Sequence, residues 1–219
     1  MITSQIDLAL TAALADRRLL DHPFYRRWEA GDVSMAELAA YAAQYRHFES
    51  YLPGFLGRLT EALADGPARD LVAANLADEQ GDPVAHVELF ARFAAGVGAG
   101  DERPSPATAA LLATYDELLD KDAMSALAGF LAYESQSAEI ARTKADGLRR
   151  HHGLDEHAVS FWDHHAQADV RHGAWAREAL SGSVGADCDV TPDIRRAADA
   201  WWTFLDEREL HRRELAPLG

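Results

Sequence analysis

No stretch of this chain alternates strictly between apolar and polar side chains, which argues against a sheet as its framework. Alanine and leucine dominate and β-branched residues are sparse, a bias toward helix. Leu8, Leu10, Leu14 and Leu19 show a helical period. His22-Pro23 opens a new element, because proline suits the first turn of a helix. Gly31-Asp32 is a break, and Ser34 with Glu37 has the spacing of a capping box. The helix that follows is predicted to run to about Asp65, bent near Pro53-Gly54, and Asp65-Gly66-Pro67 stops it. The next is predicted over Ala68 to Ala95 with Pro83 inside it, then a loop from Gly96 to Pro106. Further helices are expected over 107–120, 123–151, 155–181 and 191–213, with Asp122 and Asp155 as caps and Gly153 as a stop. Ser181 to Asp193 is the loosest connection. No repeat or composition shift divides the chain, so the expectation is one all-α domain over residues 1–219, with about seven helices.

A chain of 219 residues can bury a core without cross-links. Its one cysteine, Cys188, excludes an internal disulfide and a thiolate zinc site and fits a reducing compartment. With 21 basic against 36 acidic residues the net charge is −15, which disfavours nucleic-acid and membrane-surface partners. No apolar run approaches the roughly 18 residues of a membrane span. Met1 to Ala12 lacks a basic stretch followed by an apolar block, so a cytoplasmic location is expected. Only two of the basic residues are lysines, Lys121 and Lys144. A lysine in an arginine-rich background is notable because arginine cannot release its proton or attack as an amine.

Three segments offer metal ligands. His165, Asp169 and His172 fall at about 0°, 40° and −20° on a helical wheel, so two imidazoles and a carboxylate share one stripe. Glu79 and His86 are two turns apart, and Pro83 would free the Glu79 carbonyl by clashing with it. Glu134 follows the apolar run Gly129 to Tyr133, where a carboxylate needs a cation or strong donors. Each segment has a plainer reading. The first two would be solvated polar faces, and Glu134 would pair with Arg142 or Arg46. Glu139 competes with Glu134 as a ligand. Together the segments supply three carboxylates and three imidazoles without a thiolate, a set suited to a pair of iron or manganese ions in a helical bundle. The chain lacks the two Glu-x-x-His motifs of a ferritin-like site.

The pattern Glu-x6-His, then Glu, then His-x3-Asp-x2-His resembles the haem-oxygenase-like dimetal oxidases. The likeness extends through His22 to Trp28, Asn75 to His86, Tyr133 to Gln136, Ile140 to Lys144 and Ala168 to His172. It is narrower with the branch typified by the chlamydial protein associating with death domains, whose members make para-aminobenzoate. The resemblance implies a seven-helix fold without haem and a paired Fe/Fe or Fe/Mn centre held by Glu79, His86, Glu134, His165, Asp169 and His172. It also implies dioxygen as co-substrate, an external reductant and a homodimer. In that branch the protein's own side chains are consumed; the matching positions are Tyr25 for the ring and Lys144 for the amine, with Tyr133 as a further tyrosine at the site. Other branches oxidise free amines, amino acids or fatty acids. A metal-free thiaminase-like protein is the alternative from another class, disfavoured because Cys188 lies in a loose loop, a poor position for a buried nucleophile. Tyr41, Arg171 and His47 are expected around the ligands, and Trp201-Trp202 either closes a pocket or packs.

Overall fold

A computed structural model of the chain describes residues 4–81, 84–183 and 188–215, and among them there are nine α-helices and no strand. They are α1 (Gln5–Leu14), α2 (Pro23–Ala30), α3 (Met35–Ala62), α4 (Pro67–Gln80), α5 (His86–Gly96), α6 (Pro106–Lys121), α7 (Ala123–Gly147), α8 (Glu156–Ser183) and α9 (Thr191–Leu215). A 3-10 turn, Leu19–Asp21, precedes α2, and a π-turn, Leu148–His152, extends α7.

Several boundaries follow from local chemistry. The Ser34 hydroxyl accepts from the Glu37 N–H while the Glu37 carboxylate accepts from the Ser34 N–H, the predicted capping box. Asp122 caps α7 through Ser125, and Asp155 caps α8 through Ala158. Gly153, at φ 62°, closes the π-turn. The single helix expected over Ala68 to Ala95 is instead two, α4 and α5. Gly81 ends α4 at φ 71°, and a Cβ there would lie 2.1 Å from the Val84 carbonyl oxygen, so the chain turns where only glycine fits. The kink expected at Pro83 lies outside the described residues, as does part of the Ser181 to Asp193 connection. That split and the short α2 account for nine helices where about seven were expected.

The core is aromatic at its centre. Trp28, Tyr41, Phe93 and Trp162 are buried together, with Tyr45, Phe48, Phe90, Trp201 and Phe204. Trp201 packs: its ring stacks 4.4 Å from Tyr133 and its N–H donates to the Tyr115 hydroxyl at 2.9 Å. Trp202 instead edges against His22, outside the core. Helices α7 and α8 approach closely at Gly173, where a Cβ would stand 2.8 Å from the Glu134 carbonyl oxygen. The missing side chain sets Glu134 beside the stripe of α8 that carries Asp169 and His172.

Candidate metal centre

The six ligand candidates converge from four helices. Glu79 ends α4, His86 begins α5, Glu134 projects from the middle of α7, and His165, Asp169 and His172 line α8; all six are buried. They form two clusters, Glu79 with His86 and His165, and Glu134 with Asp169 and His172, each with ligand atoms within 4.8 Å of one another. Glu79 faces both: one carboxylate oxygen lies 2.9 Å from His86 Nδ1 and the other 3.8 Å from His172 Nδ1.

The imidazoles are oriented from behind. His165 Nδ1–H donates to the Phe161 carbonyl at 3.0 Å, leaving Nε2 for the centre. His172 Nε2–H donates to Asp78 at 3.1 Å, and Arg171 donates to the same oxygen at 3.0 Å. His86 Nε2 meets His164 Nε2 at 2.8 Å, leaving Nδ1 toward Glu79. A carboxylate or carbonyl behind the imidazole, as at His172 and His165, is the usual support of a metal-binding histidine.

The residues fit a pair of cations. Glu134 Oε2 and Asp169 Oδ1 are buried with no hydrogen-bond partner, a cost that a bound cation removes. Glu134 makes neither predicted ion pair, since Arg46 reaches Asp101 and Arg142 is exposed. Glu139 pairs with Arg18 at the surface. Burial, with Asp169 and Glu79 nearby, pushes the Glu134 carboxyl well up. Burial works against a charged His172, but its 3.4 Å contact with Asp169 and the charges of Glu134, Asp169 and Glu79 outweigh it and raise the pKa to about 9. Both shifts have one cause, carboxylate charge crowded into a buried core, which divalent ions would compensate.

Glu49 was not singled out by the sequence reading. It is buried on α3, its Oε2 has no partner, and burial with the charges of Glu79 and Asp169 pushes its carboxyl well up. A signal was present: Tyr41, Tyr45 and Glu49 recur every fourth residue, so one face of α3 carries them all. Pro53 follows Glu49 by four, the spacing that drew attention to Glu79 and Pro83. Asp78 and His164 stand in polar runs of the sequence, which gives no reason to single them out. His47, expected near the ligands, bonds the Glu102 carbonyl away from them.

Beside the clusters lies an organic site. Lys144 is buried, and its Nζ donates to the Tyr41 hydroxyl at 2.6 Å. Tyr41 in turn meets the Tyr25 hydroxyl at 3.1 Å. The Nζ stands 4.0 Å from the centre of the Trp162 ring, 4.6 Å from Tyr25 and 4.9 Å from Tyr45. Burial lowers the Lys144 pKa well below its ordinary value, opposed by Glu49 and Asp169. Tyr133, eleven residues before Lys144 on α7, bonds the Tyr45 hydroxyl at 2.6 Å. Tyr41 and Tyr45 stack at 5.3 Å and so connect Lys144 with Tyr133, three turns apart on that helix.

Residues 38–205 match the model of the iron-containing redox enzymes of haem-oxygenase type. The chain belongs to this family. It is 31% identical to the 4-aminobenzoate synthase of Nitrosomonas europaea over 225 residues, covering 94% of this chain and 92% of that protein. It is 29% identical to the 4-aminobenzoate synthase of Chlamydia pneumoniae, covering 93% and 94%. The crystal structure of a CADD-like protein of unknown function from Nostoc punctiforme superposes with a TM-score of 0.79 at 21% identity, covering 94% of this chain and 96% of that one. That likeness bears on the fold, and the fold is haem-oxygenase-like, as the sequence implied. Among the described residues no helix is long and apolar enough to cross a membrane.

Proposed function

We propose that this family member is a dimetal oxidase that makes 4-aminobenzoate, the same compound as para-aminobenzoate, from its own Tyr25 and Lys144. The observation that carries the reading is the pairing of a buried lysine amine with a buried tyrosine ring, 4.6 Å apart, in the core that holds the six ligands. Two relatives named 4-aminobenzoate synthase support it. Glu79, His86 and His165 would hold one ion, and Glu134, Asp169 and His172 the other. An Fe/Fe or Fe/Mn pair, supplied with an external reductant, would activate dioxygen there.

The remaining work falls to side chains. Tyr25 supplies the ring and Lys144 the nitrogen. An amine attacks only when unprotonated, and burial holds the Lys144 pKa down for that purpose. Tyr41 accepts the Lys144 hydrogen bond and touches the Tyr25 hydroxyl, so it orients the amine toward the ring it is to join. Trp28 and Trp162 shut water from the amine. The protein is then a reagent used about once.

The test is intact-protein mass and 4-aminobenzoate release after the iron-loaded protein, or protein loaded with iron and manganese, meets dioxygen and a reductant with no aromatic compound added. Tyr25→Phe and Lys144→Arg should both abolish release while still loading metal. Arginine keeps the charge and most of the length but stays protonated. If Tyr25→Phe releases as much product as the parent, self-consumption is wrong and an oxidase of a free amine or amino acid takes its place.

A further inference from the structure

The chain has six tyrosines, and all six lie on one connected line. The inner half is the organic site: Tyr25, Tyr41, Tyr45 and Tyr133 follow one another through two hydroxyl contacts and one ring stack. The outer half has no part in the chemistry above. The Tyr133 ring stacks on Trp201 at 4.4 Å, the Trp201 N–H donates to the Tyr115 hydroxyl at 2.9 Å, and the Tyr115 ring lies 5.3 Å from Phe55. Phe55 in turn stacks at 5.9 Å on Tyr51, which is half-buried on α3. The Tyr51 hydroxyl donates to Asp116 at 2.8 Å and accepts from Arg58 at 3.1 Å, and those two side chains are exposed.

Packing alone does not ask for this line. Phenylalanine would fill the same space without burying a hydroxyl, which costs free energy unless it is bonded. Tyrosine and tryptophan differ from it in that each can lose one electron. Burial pushes the phenols of Tyr51 and Tyr115 up, so both hold their protons until they are oxidised. The outer end of such a line therefore needs a base, and Asp116 supplies one on Tyr51. At the inner end Tyr133 adjoins Glu134, a ligand candidate of the metal pair. We propose that Tyr133, Trp201, Tyr115 and Tyr51 form a relay that carries single electrons from the surface to the oxidised metal pair, with Tyr51 as the port for the external reductant. The relay rests on the proposed function. Tyr51 loses one electron, which the oxidised iron takes through Tyr115, Trp201 and Tyr133, and its O–H proton passes to Asp116. Phe55 is crossed without being oxidised. A one-electron reductant such as ascorbate then returns an electron to Tyr51, the proton comes back from Asp116, and the metal pair is left one electron more reduced.

The test is spin trapping on the iron-loaded full chain. Without reductant, it is exposed to hydrogen peroxide, which oxidises bound iron whether or not dioxygen does, in the presence of a water-soluble nitroso trap. Peptide mass spectrometry then locates the adducts. In the parent the main adduct is expected on Tyr51, and Tyr115→Phe should lose it although Tyr51 itself is unchanged. Tyr51→Phe leaves the buried rings untouched. Ascorbate should re-reduce its iron at least about tenfold more slowly, because the barrier to electron entry rises when the outermost step is lost. Trp202→Phe, off the line against His22, should change neither readout. The rival port is Trp175, half-buried with its ring 5.7 Å from His172. An adduct on Trp175 in place of Tyr51, an adduct on Tyr51 that survives Tyr115→Phe, or an unchanged reduction rate in Tyr51→Phe overturns the relay. An adduct on Tyr51 without 4-aminobenzoate release keeps the relay and discards self-consumption, and release without the adduct does the reverse. A chain that takes up no iron discards both.

Discussion

Asp78 should govern metal affinity although it is not among the ligands. Its Oδ2 accepts from His172 Nε2 at 3.1 Å, which fixes the tautomer that turns Nδ1 toward Glu79 and Asp169. Without that acceptor the ring can place its proton on Nδ1 and present no lone pair to the centre. Removing such a support costs about 10–100-fold in metal affinity, or about 1.4–2.7 kcal/mol. Asp78 also holds Arg171, but that side chain is 60% exposed, and an exposed ion pair is worth about 0–1 kcal/mol. Asp78→Ala should therefore lose about 10–100-fold, while Arg171→Ala should lose less than about fivefold. Asp78→Asn, whose amide oxygen can still accept from the ring, should fall between. The assay is anaerobic competition for iron(II) against a chelator of known affinity, with circular dichroism to show that each variant is folded. If Asp78→Ala binds iron as the parent does, or if Arg171→Ala loses as much, the orienting role is refuted.

Four further outcomes follow from the same geometry. Metal affinity should rise by at least tenfold per pH unit from about 6.5 to about 9, because the ion must displace the His172 proton; chelator competition across that range measures the slope. In the metal-free protein the sign reverses for stability. The His172 pKa is raised above its unfolded value, so its contribution of about 3 kcal/mol is present below about pH 6.5 and lost as pH rises through about 9, which urea midpoints would report. Lys144→Met should raise the melting temperature, since an apolar side chain replaces a buried amine, by an amount corresponding to about 1–4 kcal/mol, while ending 4-aminobenzoate release. Gly173→Ala should destabilise the fold by about 1–3 kcal/mol and weaken metal binding, because the new Cβ would press on the Glu134 carbonyl and part α7 from α8.

The six ligand candidates were legible because each sits at a spacing that only a helix turns into a common face. His165, Asp169 and His172 announce themselves within eight residues, and Glu134 stands out against its apolar neighbours. The split between α4 and α5 was not legible in the same way. Helical period continues across residues 68–95, and the break depends on Gly81 meeting the Val84 carbonyl, a contact between residues three apart that composition does not disclose. Asp78 and His164 were hidden for a related reason. Each precedes a ligand on the same helix, so sequence shows a polar run, and only the packing of α4 and α5 on α8 brings these members of the run to a ring.

Glu49 shows where a stripe argument can be carried further. Its face of α3 also bears Tyr41 and Tyr45, the two hydroxyls that meet Lys144 and Tyr133. One helix face therefore joins the amine, both tyrosine contacts and a carboxylate that feels Glu79 and Asp169. Four buried carboxylates and one buried amine cannot all be charged without cations among them, since each unpaired charge in the core is costly. Filling the two clusters with divalent ions would let the carboxylates ionise, and the field of those ions at Lys144 would favour the neutral amine over the ammonium. Metal binding and amine activation would then be coupled through the same charges: on the proposed function, the centre that would supply the oxidising chemistry would also help to deprotonate the nitrogen that the chemistry requires.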